Sequence, residues 1–212
     1  MKLIIGNQNY STWSLRPWLL LSAFELKFND QLVSLLGAGA SARLATFSDA
    51  KKVPVLIDEG VAIWDTLAIC EYISENYIDG KGWPAEKMQR ALARSLTAEM
   101  HSSFASIRNE MPMNISARRR VDLSDLAKAE ITYIGGIWTK HLDDAFLFGD
   151  YGIVDCFFTP VASRFKTYGV ELSPLAQAYA DRLLAHPAMQ KWTAAALLET
   201  EILPLAEVGV EV

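Results

Sequence analysis

The sequence predicts two domains, an α/β domain over residues 1–80 and an all-α domain over residues 86–212. Two observations carry this prediction. Short apolar and β-branched segments alternate with helical patterns as far as residue 77, and only helical patterns follow. A glycine and proline cluster over residues 80–84 separates the two parts, as is typical of a linker. Two such halves leave a cleft between them, where ligands commonly bind.

The first domain begins with a strand, a helix and a second strand. Residues 2–6 form a short apolar run and residues 31–36 alternate loosely, so both are predicted as strands, parallel to each other across the helix. We predict Ser14 as the N-cap of that helix, because Pro17 then falls in the first turn, where a missing N–H is tolerated. Residues 18–26 are apolar nearly all round, so the helix must be covered on more than one side.

A short helix over residues 41–47, a hairpin and a third helix complete this domain. The β-branched run over residues 53–58 and the strand over residues 61–64 are joined by a tight Glu-Gly turn. Pro54 suits a strand start because it has no N–H for a ladder. A cis bond before it would leave the preceding backbone free to pair with an extended peptide. Apolar spacing predicts the last helix over residues 67–77, and the whole order is that of a thioredoxin-like domain.

The second domain is predicted as five helices, over residues 85–110, 122–141, 153–168, 175–185 and 187–199. A Gly-rich turn precedes the third of them. Its N-cap is Gly152, so only half of a capping box is present, in which Asp155 accepts from the Gly152 N–H. We expect this pair to be structural, with Asp155→Ala costing about 1 kcal/mol or more and Gly152→Ser gaining a few tenths.

Composition excludes several classes of function. A net charge of −5 and a pI near 5.3 argue against a nucleic-acid partner, and the one basic run, residues 118–120, is interpreted as solvated. No apolar run has membrane-spanning length, and the N-terminus lacks a signal-peptide pattern. Cys70 and Cys156 have no metal-binding spacing and are interpreted as core residues. We therefore expect a cytoplasmic protein with no metal, no membrane contact and no nucleic acid.

Three motifs, in order and over nearly the whole chain, resemble the glutathione transferases. They are the run from Ser11 to Arg16, the Val53-Pro54-Val55-Leu56 hairpin strand followed by Asp65-Thr66, and the stretch from Gly149 to Pro160. The resemblance implies the glutathione transferase fold, a homodimer, glutathione as co-substrate and a small electrophile as second substrate. It also implies an enzyme of the serine type, which activates the glutathione thiol for conjugation.

The resemblance assigns glutathione-binding roles to residues around the hairpin. Asp65 would pair with the γ-glutamyl ammonium, and the helix N-terminus at Thr66 would bind the γ-glutamyl carboxylate. Val53, held by Pro54, would pair with the cysteinyl backbone, and Lys52 would reach the glycine carboxylate. Two alternatives stay open: Asp65 as a plain helix cap, and Lys52 as a solvated side chain.

The thiol needs a hydroxyl donor, because a free thiol titrates near pH 8.5 and is mostly protonated at neutral pH. The resemblance points to Ser11 as this catalytic residue, since Arg16 follows five residues later; Thr12 and Ser14 remain alternatives. Zeta-class transferases, the maleylacetoacetate isomerases, carry Cys where this chain has Trp13. That difference disfavours the isomerase assignment and leaves Trp13 to wall the cleft beside glutathione.

A second-substrate pocket is predicted on the first long helix of the second domain. His101, Arg108 and Met111 share one face with apolar neighbours, and Arg108 could bind a carboxylate. The alternative is a buried or interface face with satisfied polar groups. Two further functions stay open beside conjugation: a glutathione-dependent isomerase, and a non-catalytic module that binds glutathione or another ligand.

Overall fold

The computed structural model describes residues 1–212 and begins with an α/β unit. Its elements are β1 (Lys2–Ile5), α1 (Thr12–Ala23), β2 (Asn29–Leu32), α2 (Ala40–Ala45), β3 (Val55–Asp58), β4 (Val61–Trp64) and α3 (Thr66–Tyr77). The sheet has the order β2-β1-β3-β4, with β1 and β2 parallel and the other pairs antiparallel. This is the predicted thioredoxin-like arrangement. The second strand lies earlier than predicted, and β3 begins only after Pro54, which cannot donate to a ladder.

The N-cap of α1 is Ser11, so the prediction of Ser14 was wrong. The Ser11 hydroxyl accepts from the Ser14 N–H at 3.3 Å, and α1 begins at Thr12. The Ser14 side chain is fully buried, and its hydroxyl accepts from the Gly6 N–H at 3.0 Å. Ser14 therefore ties the end of β1 to α1 instead of capping the helix.

The helical half contains α4 (Lys87–Ser102), α5 (Ala105–Glu110), α6 (Asp125–His141), α7 (Ile153–Thr167), α8 (Pro174–Ala185) and α9 (Pro187–Ala196). Four two-residue strands accompany them: β5 (Arg119–Arg120), β6 (Leu142–Asp143), β7 (Phe146–Leu147) and β8 (Val210–Glu211). Because β5 pairs with β8, the basic run is not simply solvated: Arg119 also forms an ion pair with Glu207. None of the helices is long and apolar enough to cross a membrane.

The prediction of a single helix over residues 85–110 was wrong, because the helix is interrupted between α4 and α5. Phe104 has a left-handed backbone, with φ 63° and ψ 48°, while its side chain is buried. Arg108 folds back over the break and donates to the carbonyls of Met100 and Ser103. These carbonyls belong to the end of α4, where helical partners run out. A tertiary contact thus ends a helix that no Gly or Pro interrupts.

Both halves share one hydrophobic core. A single cluster of 42 buried side chains includes Leu3 and Leu56 of the sheet as well as Phe157 and Trp138 of the helical half. Helix α7 is its centre and packs against α1, α4 and α8. The linker joins this core at Gly82, whose carbonyl accepts from the Ile153 N–H at 2.9 Å.

Candidate active site

A cavity of about 730 Å³ lies between the start of α1, the segment before β3 and the start of α3. It is lined by Trp13, Leu35, Leu44, Ala50, Lys51, Lys52, Val53, Pro54, Trp64, Asp65 and Thr66. All six residues assigned from the sequence to glutathione binding are therefore among the lining residues. Lys51 and Trp64 adjoin predicted residues in the chain, whereas Leu35 and Leu44 carry no sequence feature that marks them. Small-molecule sites usually have volumes of about 300–1,000 Å³, which this cavity matches.

Val53 presents an unpaired peptide group to the cavity. The bond between Val53 and Pro54 is cis, and β3 begins two residues after Val53. Neither the N–H nor the C=O of Val53 is bonded to another backbone group. Val53 is half-buried at the cavity wall. A free donor and a free acceptor on one residue can pair with an extended peptide in both directions, as in strand addition.

Asp65 opens α3 in an unusual backbone conformation, with φ 71° and ψ 132°. Its Oδ1 accepts from the Leu67 N–H at 2.8 Å and from the Ala68 N–H at 3.4 Å, so Asp65 does cap the helix. Its Oδ2 lies 3.1 Å from Nε2 of His101, and its side chain is still 47% exposed. A positive φ costs a non-glycine residue about 1–3 kcal/mol and often marks a functional site. Asp65 is thus both a cap and a carboxylate available to a ligand.

Thr66 contributes its backbone to the cavity and its side chain to the scaffold. The hydroxyl donates to the carbonyl of Trp13 at 3.1 Å, which joins the starts of α1 and α3. The Thr66 N–H has no backbone partner and belongs to the first turn of α3. An unpaired N–H at a helix N-terminus attracts anions, so a carboxylate can bind there.

Ser11 is buried beside the cavity and does not line it. Its hydroxyl donates to the Ser14 hydroxyl at 2.8 Å, and only 5% of the residue is exposed. Because Ser14 is fully buried and bonded to Gly6 and Ser11, it is the less suitable hydroxyl for contacting a ligand.

Trp13 stands between two cationic side chains. The Arg16 guanidinium carbon lies 4.5 Å from the Trp13 ring centre and that of Arg108 lies 5.2 Å away, while the His101 ring meets it edge-on at 5.3 Å. Arg16 is fully buried, stacks on Phe157 as well, and has no hydrogen-bond partner for its guanidinium nitrogens. Burial lowers the pKa of Arg16 well below its usual value. These stacked groups hold Trp13 as one wall of the cavity.

The predicted second-substrate residues lie in different surroundings. His101 faces Trp13 and Asp65; burial lowers its pKa, and the Asp65 carboxylate opposes that change. Arg108 reaches the Trp13 ring, but it also donates to the carbonyls that end α4. Met111 is fully buried in the core and lines none of the larger cavities. The break at Phe104 is the reason, because it removes the common helix face on which the prediction rested.

Comparison with known proteins identifies a family model that matches the N-terminal part of the chain. Residues 10–76 match the family model described as "Glutathione S-transferase, N-terminal domain". The chain is 26% identical to a probable maleylacetoacetate isomerase of Caenorhabditis elegans over 78% of this chain and 81% of the relative. It is 25% identical to a stringent starvation protein A homolog of Pasteurella multocida over 57% of this chain and 56% of that protein.

Solved structures show the same fold. A glutathione transferase homolog from Burkholderia, solved with bound glutathione, superposes with a TM-score of 0.73 at 24% identity, covering 92% of this chain and 97% of that one. A diazinon-metabolizing glutathione S-transferase of the silkworm Bombyx mori gives a TM-score of 0.72 at 21% identity, with 92% and 97% covered. The N-terminal part of the chain thus matches the glutathione S-transferase N-terminal domain, and the chain as a whole has the fold of solved glutathione transferases.

Proposed function

We propose that this protein is a glutathione transferase of the serine type, which binds glutathione in the cavity and activates its thiol for attack on a small electrophile. One observation carries the proposal: the unpaired peptide group of Val53 and Thr66, whose N–H has no backbone partner, line the same cavity. Together they offer an extended tripeptide a backbone partner and an anion site. The Burkholderia homolog, which has this fold, was solved with glutathione bound.

The charged groups and the cysteinyl backbone of glutathione each have a matching group in the cavity. The γ-glutamyl carboxylate meets the free Thr66 N–H, and its ammonium meets the exposed Asp65 carboxylate. The cysteinyl backbone pairs with Val53, which Pro54 adjoins. Lys52 lies on the same wall and reaches the glycine carboxylate. The charges are complementary along the whole ligand, since each ligand charge meets a group of opposite sign.

Ser11 donates to the thiol sulfur in this proposal. It caps α1, so its hydroxyl lies at a helix N-terminus, where an anion is favoured. The Ser11 proton points to Ser14 in the free protein and would turn toward the bound sulfur. A hydrogen bond to an ionised group is worth about 1.5–3 kcal/mol, and one pKa unit is about 1.4 kcal/mol. Ser11 should therefore lower the thiol pKa by about one to two units.

The electrophile would bind beside Trp13, His101 and Arg108, which form the wall nearest the helical half. Exposed apolar side chains on the edge strand β4 and on α4 support a homodimer: Val61, Trp64, Met88 and Leu92.

The isomerase alternative has a specific observation in its favour, the relative named as a probable maleylacetoacetate isomerase. Both reactions use the same activated thiol and differ in the second substrate. A cytoplasmic location is part of the proposal.

The test compares Ser11→Ala, Thr12→Ala and Ser14→Ala with the parent. Glutathione binding is measured by calorimetry, and the bound thiol pKa by thiolate absorbance across pH, with conjugation of an aromatic halide read in parallel. We expect Ser11→Ala to raise the thiol pKa and to slow conjugation near neutral pH by about tenfold to a hundredfold, with glutathione affinity nearly unchanged. Ser14→Ala should mainly lose stability.

Three outcomes would contradict parts of the proposal. If Thr12→Ala or Ser14→Ala raises the thiol pKa and Ser11→Ala does not, another hydroxyl is the catalytic one. If the parent binds glutathione without lowering its thiol pKa, the protein is a binding module. If the parent isomerises a cis-dienoic acid and conjugates no electrophile, the isomerase alternative replaces conjugation.

A further inference from the structure

The loop that carries Ser11 is held from the far end of the chain. Residues 7–11 connect β1 to α1, and a strap formed by residues 199–207 crosses them. Both oxygens of Glu199 accept from consecutive amides of this loop, Gln8 N–H at 2.6 Å and Asn9 N–H at 3.2 Å. Charge-assisted bonds of this kind are stronger and more directional than neutral ones.

Two more glutamates of the strap hold the same loop by side chains. Glu201 accepts from the Asn7 amide at 2.8 Å and from the Ser34 hydroxyl at 2.7 Å. These bonds lower the pKa of Glu201, so its carboxylate is ionised near neutral pH. Glu207 accepts from the Tyr10 hydroxyl at 2.7 Å. Each loop residue from 7 to 10 therefore has a strap carboxylate as partner.

Carboxylates, more than apolar packing, hold the strap in place. Ile202 and Leu205 are 61% and 94% exposed, so the large hydrophobic side chains at these two positions of the strap contribute little burial. A segment so poor in buried apolar surface is expected to open locally when its polar anchors are removed. The anchors end on the loop that leads into the N-terminus of α1.

We propose that Glu199 is a positioning residue for Ser11, and that the strap keeps the Ser11 loop in the geometry that activates the thiol. The bonds within the loop carry this effect to Ser11: its N–H and that of Tyr10 both donate to the Asn7 carbonyl, at 2.8 and 3.1 Å. These bonds make residues 7–11 a single hydrogen-bonded turn, and Glu199 holds the Gln8 and Asn9 amides in the middle of that turn. This inference rests on the proposed role of Ser11, because a displaced hydroxyl matters only to a reaction that uses it.

The experiment compares Glu199→Ala and Glu199→Gln with Glu211→Ala as the matched control. Glu211 lies in β8 of the same C-terminal segment, is exposed and loses the same charge on substitution, but its side chain makes no bond to the loop. Glu199→Gln keeps one oxygen acceptor of the two and should be intermediate in every measurement. Because Glu199 lies on the surface of the fold, we expect all three variants to fold, which thermal unfolding checks.

Two measurements are made on the full chain. Amide hydrogen exchange at Gln8 and Asn9 should be faster by about tenfold or more in Glu199→Ala and unchanged in Glu211→Ala. With glutathione bound, the thiol pKa of Glu199→Ala should rise by about one unit, and conjugation near neutral pH should fall about tenfold. The dissociation constant for glutathione should change less than about threefold, because Val53, Asp65 and Thr66 are untouched.

The two measurements separate failure of this inference from failure of the proposed function. Faster exchange with a parental thiol pKa would show that the strap holds the loop without positioning Ser11, and would overturn the proposal. Unchanged amide exchange at Gln8 and Asn9 in Glu199→Ala would also overturn the proposal, because it would show that Glu199 does not hold the loop. A parent that never lowers the thiol pKa would refute the proposed function and with it the positioning role, whatever the exchange result. A Glu199→Ala variant that fails to fold leaves Glu199→Gln as the deciding variant.

Discussion

Replacing Asp155 by Ala should destabilise the protein far more than the loss of an ordinary helix cap. The Asp155 carboxylate is fully buried and accepts three hydrogen bonds: from Gly152 N–H at 2.9 Å, Leu147 N–H at 3.2 Å and the Tyr179 hydroxyl at 2.7 Å. Each buried donor left without a partner costs about 1–3 kcal/mol. The Tyr179 hydroxyl can turn, which leaves two N–H donors without a partner, so we expect a loss of about 2–6 kcal/mol instead of the ~1 kcal/mol that capping alone predicts.

Thermal unfolding measures this loss. A chain of this size loses about 2–4 °C of Tm per kcal/mol, so Asp155→Ala should melt at least about 4 °C below the parent. Tyr179→Phe is the matched control, because it removes one of the three donors and should cost about 1 kcal/mol. An Asp155→Ala protein that melts within a degree or so of Tyr179→Phe would refute the count of donors on which the magnitude rests.

The structure also reverses the expectation for Gly152→Ser. A Cβ at residue 152 would lie 2.9 Å from the backbone carbonyl oxygen of Gly82, which the Ile153 N–H already approaches to 2.9 Å. Completing the capping box therefore forces the linker away from α7. We expect Gly152→Ser to lower the Tm. A gain in stability would show that the backbone at Gly82 can shift to accommodate the added side chain without loss of stability.

Three further predictions concern pH and the site. Burial raises the pKa of Asp155 to about 7, so between about pH 4 and pH 7 the folded protein holds a proton that the unfolded chain has lost. The free energy of unfolding should therefore fall as the pH rises from about 4 to about 7. Asp155→Asn should make the free energy of unfolding less dependent on pH in this range. Asp65→Asn keeps an oxygen to cap α3 and loses the charge, so calorimetry should show glutathione affinity falling about tenfold or more with the Tm preserved. Arg108→Met loses the hydrogen bonds to the Met100 and Ser103 carbonyls and should destabilise the protein by about 1–3 kcal/mol. Its affinity for glutathione should not change. A weaker glutathione complex would show that Arg108 belongs to the glutathione site.

The lining of the cavity was predictable from sequence wherever one short segment contributes it. The proline that precedes β3, Trp64 at the end of the hairpin and the acidic and hydroxyl residues that open α3 belong to local patterns, and all of them line the cavity. The presence of several hydroxyl side chains near the start of α1 was also predictable, but which of them caps the helix was not. Ser11 caps the helix because Ser14 is taken by the Gly6 N–H, and eight residues of chain must fold before that contact exists.

The amino-acid sequence by itself determined the order of elements, the division into an α/β half and a helical half, and the residues around Val53 and Asp65. Local periodicity and turn chemistry are enough for these, since each depends on neighbours a few residues apart. Only the tertiary structure decided the break at Phe104, the burial of Met111 and the hold of Glu199 on the Ser11 loop. These features depend on which donors, acceptors and apolar surfaces meet across the fold, and Gln8 and Glu199 are 191 positions apart in the chain.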